Sequence, residues 1–180
     1  MRLVALLRGI NVGGRNKVPM ADLRALAADL GLESIETYIA SGNLVCTSAR
    51  AAAEVEADLE QALAGHFGFE VPVVVRTASQ WQVLAASSAF PDAESERPNL
   101  LCLGLAKRPA VAGANAVLGD YVRGEERVSV FGEGLWIDYA SGVARSKLTP
   151  KILDKAFGSP VTCRNWRTVQ KLADMLGVSA

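Results

Sequence analysis

The first 76 residues alternate short apolar runs with segments of helical spacing, and each change of period predicts a new element. The runs predict four strands, at residues 3–7, 34–40, 44–47 and 70–76. Apolar residues three or four positions apart predict one helix from Pro19 to Gly31 and another over residues 50–66, ended by Gly68. The resulting order, β-α-β-β-α-β, is that of the ferredoxin-like fold.

The rest of the chain repeats this pattern more weakly. A helix over 78–87 opens with Thr77 and Gln80 at capping-box spacing, and the polar stretch 90–99 predicts a surface loop. A strand at 100–106, a helix at 110–122 and a hairpin of strands 127–131 and 135–139 across Gly132-Glu133-Gly134 predict a second unit. Helices follow at 150–157 and at 162–176, the last with Thr162 as its cap.

The predicted fold class is therefore α+β: a ferredoxin-like βαββαβ unit, a second, weaker βαββ-type unit, and C-terminal helices. The predicted division is residues 1–77 and 78–180, packed as one compact body. Half of the 180 residues are hydrophobic and 21% are charged, which is a globular composition.

Several classes of protein are made improbable by what the sequence lacks. No apolar run has a length of about 18 residues, and the N-terminus does not resemble a signal peptide, so we expect a cytoplasmic protein with no membrane partner. Three dispersed cysteines, Cys46, Cys102 and Cys163, and a single histidine, His66, favour neither a disulfide framework nor a structural zinc site. No cofactor is indicated.

Charge is distributed unevenly along a chain whose net charge is zero. Residues 1–20 carry four basic groups and no acid, and residues 141–171 carry seven basic groups against one acid, Asp154. The intervening residues 21–140 hold eight basic and seventeen acidic groups. This separation predicts a positive site on an acidic body, built from both basic segments together.

The segment from Gly9 to Asn16 is the strongest candidate for chemistry. It follows a strand and nearly has the glycine spacing of a phosphate-binding P-loop, but Arg15 replaces the lysine and Asn16 replaces the hydroxyl residue. One interpretation is an anion site, in which backbone N–H groups and basic side chains face the ligand. Its residues would be Arg8, Asn11, Gly13, Gly14, Arg15 and Lys17. The other interpretation is a glycine-rich connection that only reverses the chain.

Further candidates lie elsewhere. The segment Ser41-Gly42-Asn43 has the chemistry of a hairpin turn, and the alternative interpretation is that Ser41 and Asn43 donate hydrogen bonds to a ligand. Arg145 and Lys147 precede a predicted helix start. On the last predicted helix, Arg164, Arg167 and Lys171 form a basic stripe, which is either a binding surface or a solvated face, while Trp166 is expected in the core.

Three ordered blocks resemble the domain of unknown function 1697 family. They are ALLRGINVGGRNKVPM at 5–20, TYIASGNLVC at 37–46, and RSKLTPKIL at 145–153 followed by RNWRTVQKLADM at 164–175. The resemblance implies a compact α+β protein with ferredoxin-like organisation. It implies no agreed substrate, cofactor or catalytic residue.

The favoured function is binding of a small phosphate-bearing or other anionic ligand at the glycine-rich basic loop. The alternatives are an enzyme acting on an anionic metabolite, a partner-docking protein without catalysis, and a weak RNA or DNA binder. Nucleic acid is not favoured, because the chain is neutral overall and its strands carry few aromatic residues, mainly Tyr38, Phe131, Trp136 and Tyr139. The sequence does not indicate an oligomeric state.

Overall fold

Two four-stranded antiparallel sheets organise the chain. The computed structural model describes residues 1–86, 88–131, 133–140 and 142–178. Contacts divide these residues into two units, one of residues 1–82 with the C-terminal residues from 172 on, and one of residues 83–171. Each unit contains one sheet, so the predicted α+β class is confirmed.

The first unit has the predicted ferredoxin-like order. Its elements are β1 (Arg2–Leu7), α1 (Met20–Asp29), β2 (Glu33–Tyr38), β3 (Asn43–Thr47), α2 (Ala52–Phe67) and β4 (Val73–Thr77), followed by α3 (Ala78–Ala86). The sheet order is β2-β3-β1-β4. The central strand β1 pairs with β3 and β4, with Ala5 opposite both Leu44 and Val75.

The core of this unit lies between one face of the sheet and the helices α1 and α2. Leu3, Ala5 and Leu7 of β1 face this core because alternate residues of a strand point to one side. Helix α2 contributes Val55, Leu59 and Leu63, spaced by four residues, and ends at the left-handed Gly68, whose φ is 75°. Helix α1 begins at Met20, one residue later than predicted. Pro19 has an extended ψ of 136°, so it is the N-cap residue that precedes the helix and not its first helical residue.

The second unit contains all four strands of a βαββαβ order, which corrects the predicted βαββ-type unit. Its elements are α4 (Pro91–Glu96), β5 (Leu101–Leu105), α5 (Ala114–Gly119), β6 (Arg127–Phe131), β7 (Gly134–Asp138), a 3-10 helix (Val143–Arg145), α6 (Pro150–Phe157) and β8 (Thr162–Asn165). Helix α7 (Trp166–Leu176) follows, and its residues from 172 on belong to the first unit. The sheet order β6-β7-β5-β8 reproduces that of the first unit position by position. The second half of the chain is therefore also βαββαβ followed by a helix.

Strand β8 was predicted as the start of the last helix. Thr162 lies in the strand and is paired with Leu105, so it does not cap a helix. Helix α7 begins at Trp166, and the cap is Asn165, whose Oδ1 accepts a 2.9 Å hydrogen bond from the backbone N–H of Thr168.

Two further predictions about local structure were wrong. The predicted loop at 90–99 contains helix α4, which Pro91 opens and Asp92 and Glu94 favour in the first turn. The predicted helix at 110–122 shortens to α5 because Gly113 has a φ of 78°, which no right-handed helix accommodates. Ser87 and Gly132, at the ends of predicted elements, lie outside the described residues.

The outer edge of β4 is covered by side chains. Its outward N–H groups are each accepted at 2.9 Å by a side-chain oxygen, in the pairs Val73 with Glu60, Val75 with Glu56, and Thr77 with Gln80. Glu56 and Glu60 stand one helical turn apart on α2, which places both carboxylates along the strand. In the second unit, Asp154 of α6 accepts the N–H of Val161 in the same way, at 2.9 Å.

Removing one of these carboxylates is expected to destabilise the first unit. We predict that Glu60→Ala lowers the free energy of unfolding by about 1–3 kcal/mol, since the N–H of Val73 loses a charged acceptor. Gln61→Ala, an exposed neighbour on the same helix, is the control and should change it by no more than about 0.5 kcal/mol. Urea unfolding measures both, and equal effects would contradict the prediction.

Candidate functional site

The glycine-rich segment after β1 forms a miniature β-hairpin. Val12 and Arg15 pair across the turn Gly13-Gly14, and the N–H of Arg15 donates to the Val12 carbonyl at 3.1 Å. Both glycines have positive φ, 58° and 76°, as a type I′ turn requires. The N–H of Asn11 donates to the Asn16 carbonyl at 3.1 Å and closes the base. We call residues Asn11–Asn16 the glycine hairpin.

The side chain of Asn11 fixes the hairpin to its surroundings. Its Nδ2 donates to the carbonyl of Val18 at 2.9 Å and to that of Ala40 at 2.7 Å, and its Oδ1 accepts the N–H of Val18 at 2.9 Å. Both amide protons are thereby used. Asn11 was predicted as a ligand residue, and the structure gives it three bonds to the backbone of the site itself.

The turn between β2 and β3 lies against this hairpin. Ala40 is in it, and Gly42 accepts the N–H of Leu7 through its carbonyl at 2.8 Å. A Cβ at Gly42 would stand 2.7 Å from Cβ of Leu7 and 2.8 Å from Cδ1 of Ile10, so only glycine fits. Ile39 has a φ of 48°, a strained value for a β-branched residue, and is 52% exposed.

The polar residues of this turn stabilise it from within. Asn43 is fully buried, and its Nδ2 donates to the carbonyl of Tyr38 at 2.9 Å and to Oγ of Ser41 at 3.1 Å. Asn43 therefore holds the turn that carries Ala40, and its amide does not reach the surface.

A groove of about 390 Å³ runs between the hairpin and the turn. Its lining residues are Asn11, Gly14, Lys17, Val18, Pro19, Met20 and Ala40. Arg15 and Lys17 are exposed, and neither lies within 4.0 Å of a carboxylate of the described residues. Arg8 is half-buried where β1 ends, and its N–H donates to the carbonyl of Pro72 at 2.9 Å.

The second predicted basic segment belongs to the second unit. Arg145 and Lys147 are exposed, in and just after the 3-10 helix, and Oγ of Ser146 accepts the N–H of Leu148 at 3.1 Å. Thr149 precedes α6 without a capping hydrogen bond from its side chain. That these residues and the glycine hairpin form one site stays a prediction.

Arg164 lies on β8 and not on the last helix, so the predicted basic stripe does not exist as such. It is 8% exposed, and its Nη1 donates to Oγ1 of Thr162 and to the carbonyl of Cys163, both at 2.9 Å. Burial lowers the pKa of Arg164 to about 10. Arg167 and Lys171 remain on α7, and Trp166 is buried as predicted.

The second unit contains an ion-pair cluster that no sequence pattern predicts. The fully buried carboxylate of Asp138 accepts hydrogen bonds from Arg97 and Arg127, the closest at 2.8 and 2.7 Å, and Asp92 joins the same two arginines at 3.0 and 2.6 Å. Hydrogen bonding to Asp138 raises the pKa of Arg97, and that to Arg127 lowers the pKa of Asp92. The four residues come from two separate segments, Asp92 with Arg97 and Arg127 with Asp138, and share no sequence pattern.

The metal-ligating and thiol side chains form no assembled site among the described residues. In this part of the chain, no three His, Cys, Asp or Glu side chains are grouped so as to hold a metal ion. Burial raises the pKa of the Cys46 thiol to about 11 and that of Cys102 to about 12. Over the same residues, no helix combines the length and apolarity needed to cross a bilayer.

Comparison with known proteins gives a family and a structural relative. Residues 1–136 match the sequence model of a family described as "Protein of unknown function (DUF1697)". The structure of the conserved bacterial protein SP0830 from Streptococcus pneumoniae is similar, with a TM-score of 0.73 and 27% identity over 97% of this chain and 98% of that one. No curated protein matches the chain.

The close packing at Gly42 generates a first prediction for the site. We expect Gly42→Ala to lower the free energy of unfolding by about 2–4 kcal/mol, because left-handed strain and overpacking against Leu7 and Ile10 add. Gly31→Ala is the matched control, since Gly31 has a similar φ of 75° but open space, and should cost about 1–2 kcal/mol. Urea unfolding tests the difference, and equal losses would show that the contact is unimportant.

The amide of Asn11 generates a second prediction. Asn11→Asp should lower the free energy of unfolding by about 2–3 kcal/mol, because a carboxylate cannot donate to the carbonyls of Val18 and Ala40. Asn16→Asp, which loses one exposed bond to the Gly9 carbonyl, should cost less than about 1 kcal/mol. Amide hydrogen exchange at Val18 would report the loosened hairpin, and unchanged protection in Asn11→Asp would contradict this account.

Proposed function

The chain belongs to DUF1697, a family of proteins of unknown function, and we propose from its own geometry that it binds a small phosphate-bearing anion at the glycine hairpin. The ligand would meet the turn N–H groups of Gly13 and Gly14 and the charges of Arg15 and Lys17. Arg8 is the first residue of the same connection, which joins β1 to α1.

The observation that carries this proposal is the difference between the two units. Both have the same strand order, so each position in one has a counterpart in the other. The connection from β1 to α1 spans residues 8–19, whereas its counterpart from β5 to α5 spans only residues 106–113 and contains no paired glycines. The topology therefore closes without a hairpin at this position, which favours a role for the hairpin other than folding.

The charges and donors of the hairpin support an anionic ligand. In the described part of the chain, the N–H groups of Gly13 and Gly14 donate to no protein acceptor, and Arg15 and Lys17 have no ion-pair partner. Residues 1–21 contain no acid that would oppose an anion. Donors and cations of this kind are the usual means by which a loop binds phosphate.

The aromatic residues favour a small ligand over nucleic acid. Trp136 and Tyr139, two of the four aromatic candidates for stacking, are 1% and 5% exposed, and only Phe131 is largely exposed, at 55%. Single-stranded nucleic acid binds through several exposed aromatic side chains along a basic groove. A single exposed ring does not supply such a platform.

The test is a thermal-shift screen with nucleotides, sugar phosphates and inorganic polyanions, followed by calorimetric titration of any ligand found. We expect Arg15→Ala to weaken binding roughly ten- to hundredfold, since a charge-assisted contact contributes about 1.5–3 kcal/mol. Arg108→Ala is the control: it removes an exposed cation from the counterpart connection and should change affinity less than about twofold.

Unchanged affinity in Arg15→Ala, with the fold intact, would reject the hairpin as the site. A screen that finds no anionic ligand at millimolar concentration would reject anion binding, and the exposed apolar residues Val12 and Ile39 would then favour a docking role.

A further inference from the structure

We infer that the anion bound at the glycine hairpin carries an apolar body, as an alkyl or aryl phosphate does, and that this body lies in the groove beside the hairpin. The inference rests on the proposed function and names its ligand class. It follows from which polar groups of the groove remain available after the protein's own hydrogen bonds are made.

Asn11 is one of the two polar side chains of the groove lining, with Lys17, and its donors are not available. Both Nδ2 protons go to the carbonyls of Val18 and Ala40, and Oδ1 accepts the N–H of Val18. Pro19, another lining residue, has no N–H to offer. Among the side chains of the lining, the donor left to a ligand is therefore the Lys17 ammonium group, and the backbone N–H of Gly14 lies where the groove adjoins the hairpin tip.

The other surfaces of the groove are apolar. Val18, which is 1% exposed, the half-buried Met20, and the exposed Pro19 and Ala40 contribute hydrocarbon. The polyhydroxyl body of a sugar phosphate would lose water here without gaining partners, which is unfavourable. An alkyl or aryl body of the same size would gain from every methylene withdrawn from water.

Size and surroundings agree with this ligand class. A groove of about 390 Å³ lies near the lower end of the range for small-molecule sites, so it accommodates a short chain or one ring. Val12 and Ile39 follow and precede the lining residues Asn11 and Ala40 in sequence, and they expose 70% and 52% of their surface. The cationic and donor groups of the protein, at Lys17 and Gly14, thus lie beside its apolar groove residues.

The experiment is calorimetric titration of the full chain with inorganic, methyl, butyl and hexyl phosphate, below any micelle concentration, and with ribose 5-phosphate. Hexyl phosphate should bind at least about tenfold more tightly than methyl phosphate, since one fully buried methylene is worth about fourfold and the groove is open. Ribose 5-phosphate should bind no more tightly than methyl phosphate.

Two variants separate the apolar contribution from the charge. Pro19→Ser places a favourable capping residue before α1, so the fold is kept, and it should at least halve the hexyl-to-methyl ratio by removing the ring from the groove. Met20→Gln is a second polar substitution in the same wall. Lys17→Gln should instead weaken all phosphates alike and leave the ratio unchanged.

Equal affinities for methyl and hexyl phosphate, or tighter binding of ribose 5-phosphate, would overturn this inference while leaving anion binding in place. Absence of binding by every phosphate would reject both. A control with vesicles of anionic phospholipid distinguishes a free amphiphile from a membrane surface. Sedimentation with the vesicles, without binding of monomeric hexyl phosphate, would overturn the inference in favour of lipid headgroups.

Discussion

Burial of the central strand on both of its faces is the constraint on which the first unit depends. Residues Leu3–Leu7 are at most 1% exposed and pair on both sides, with β3 and with β4. Strand β1 ends at Leu7, and the chain leaves the sheet at Arg8. That end is also where the β2–β3 turn and the start of β4 meet, through the bonds of Leu7 to Gly42 and of Arg8 to Pro72. The position of the glycine hairpin follows from this topology, and its charges then determine what it can bind.

The sequence indicates the fold where packing depends on local pattern. The apolar run of β1, the helical period of α2 and the stop at Gly68 all express burial that neighbours in sequence reveal. Strand β8 shows no such local pattern, because it has only four residues and one of them is Arg164. Its conformation is determined by pairing with β5, about sixty positions earlier in the chain. Helix α4 was missed for a similar reason: it has six residues, of which only Ala93 is buried.

The candidate site was predictable in its charges and glycines but not in its geometry. Paired glycines and the absence of acids mark residues 8–19 as unusual. Nothing in the sequence shows that Asn11 binds the carbonyl of Ala40, because that contact is created by the folding of two separate strand ends. The same holds for Asp138, whose arginine partners are brought to it by β6 and by the segment around α4. Polar contacts between distant segments are decided by tertiary structure, and a single sequence does not record them.

The carboxylates that cover the edge of β4 also have a consequence for how copies of this protein behave in concentrated solution. An open strand edge is a template on which another chain can add a strand, and this is a common start of aggregation. With the N–H groups of Val73, Val75 and Thr77 already bonded, an incoming strand would have to displace a side chain at each of these groups before forming a ladder hydrogen bond to it. The two glutamates would also place negative charge at the point of contact. The same side chains that stabilise the fold thereby protect this edge against polymerisation.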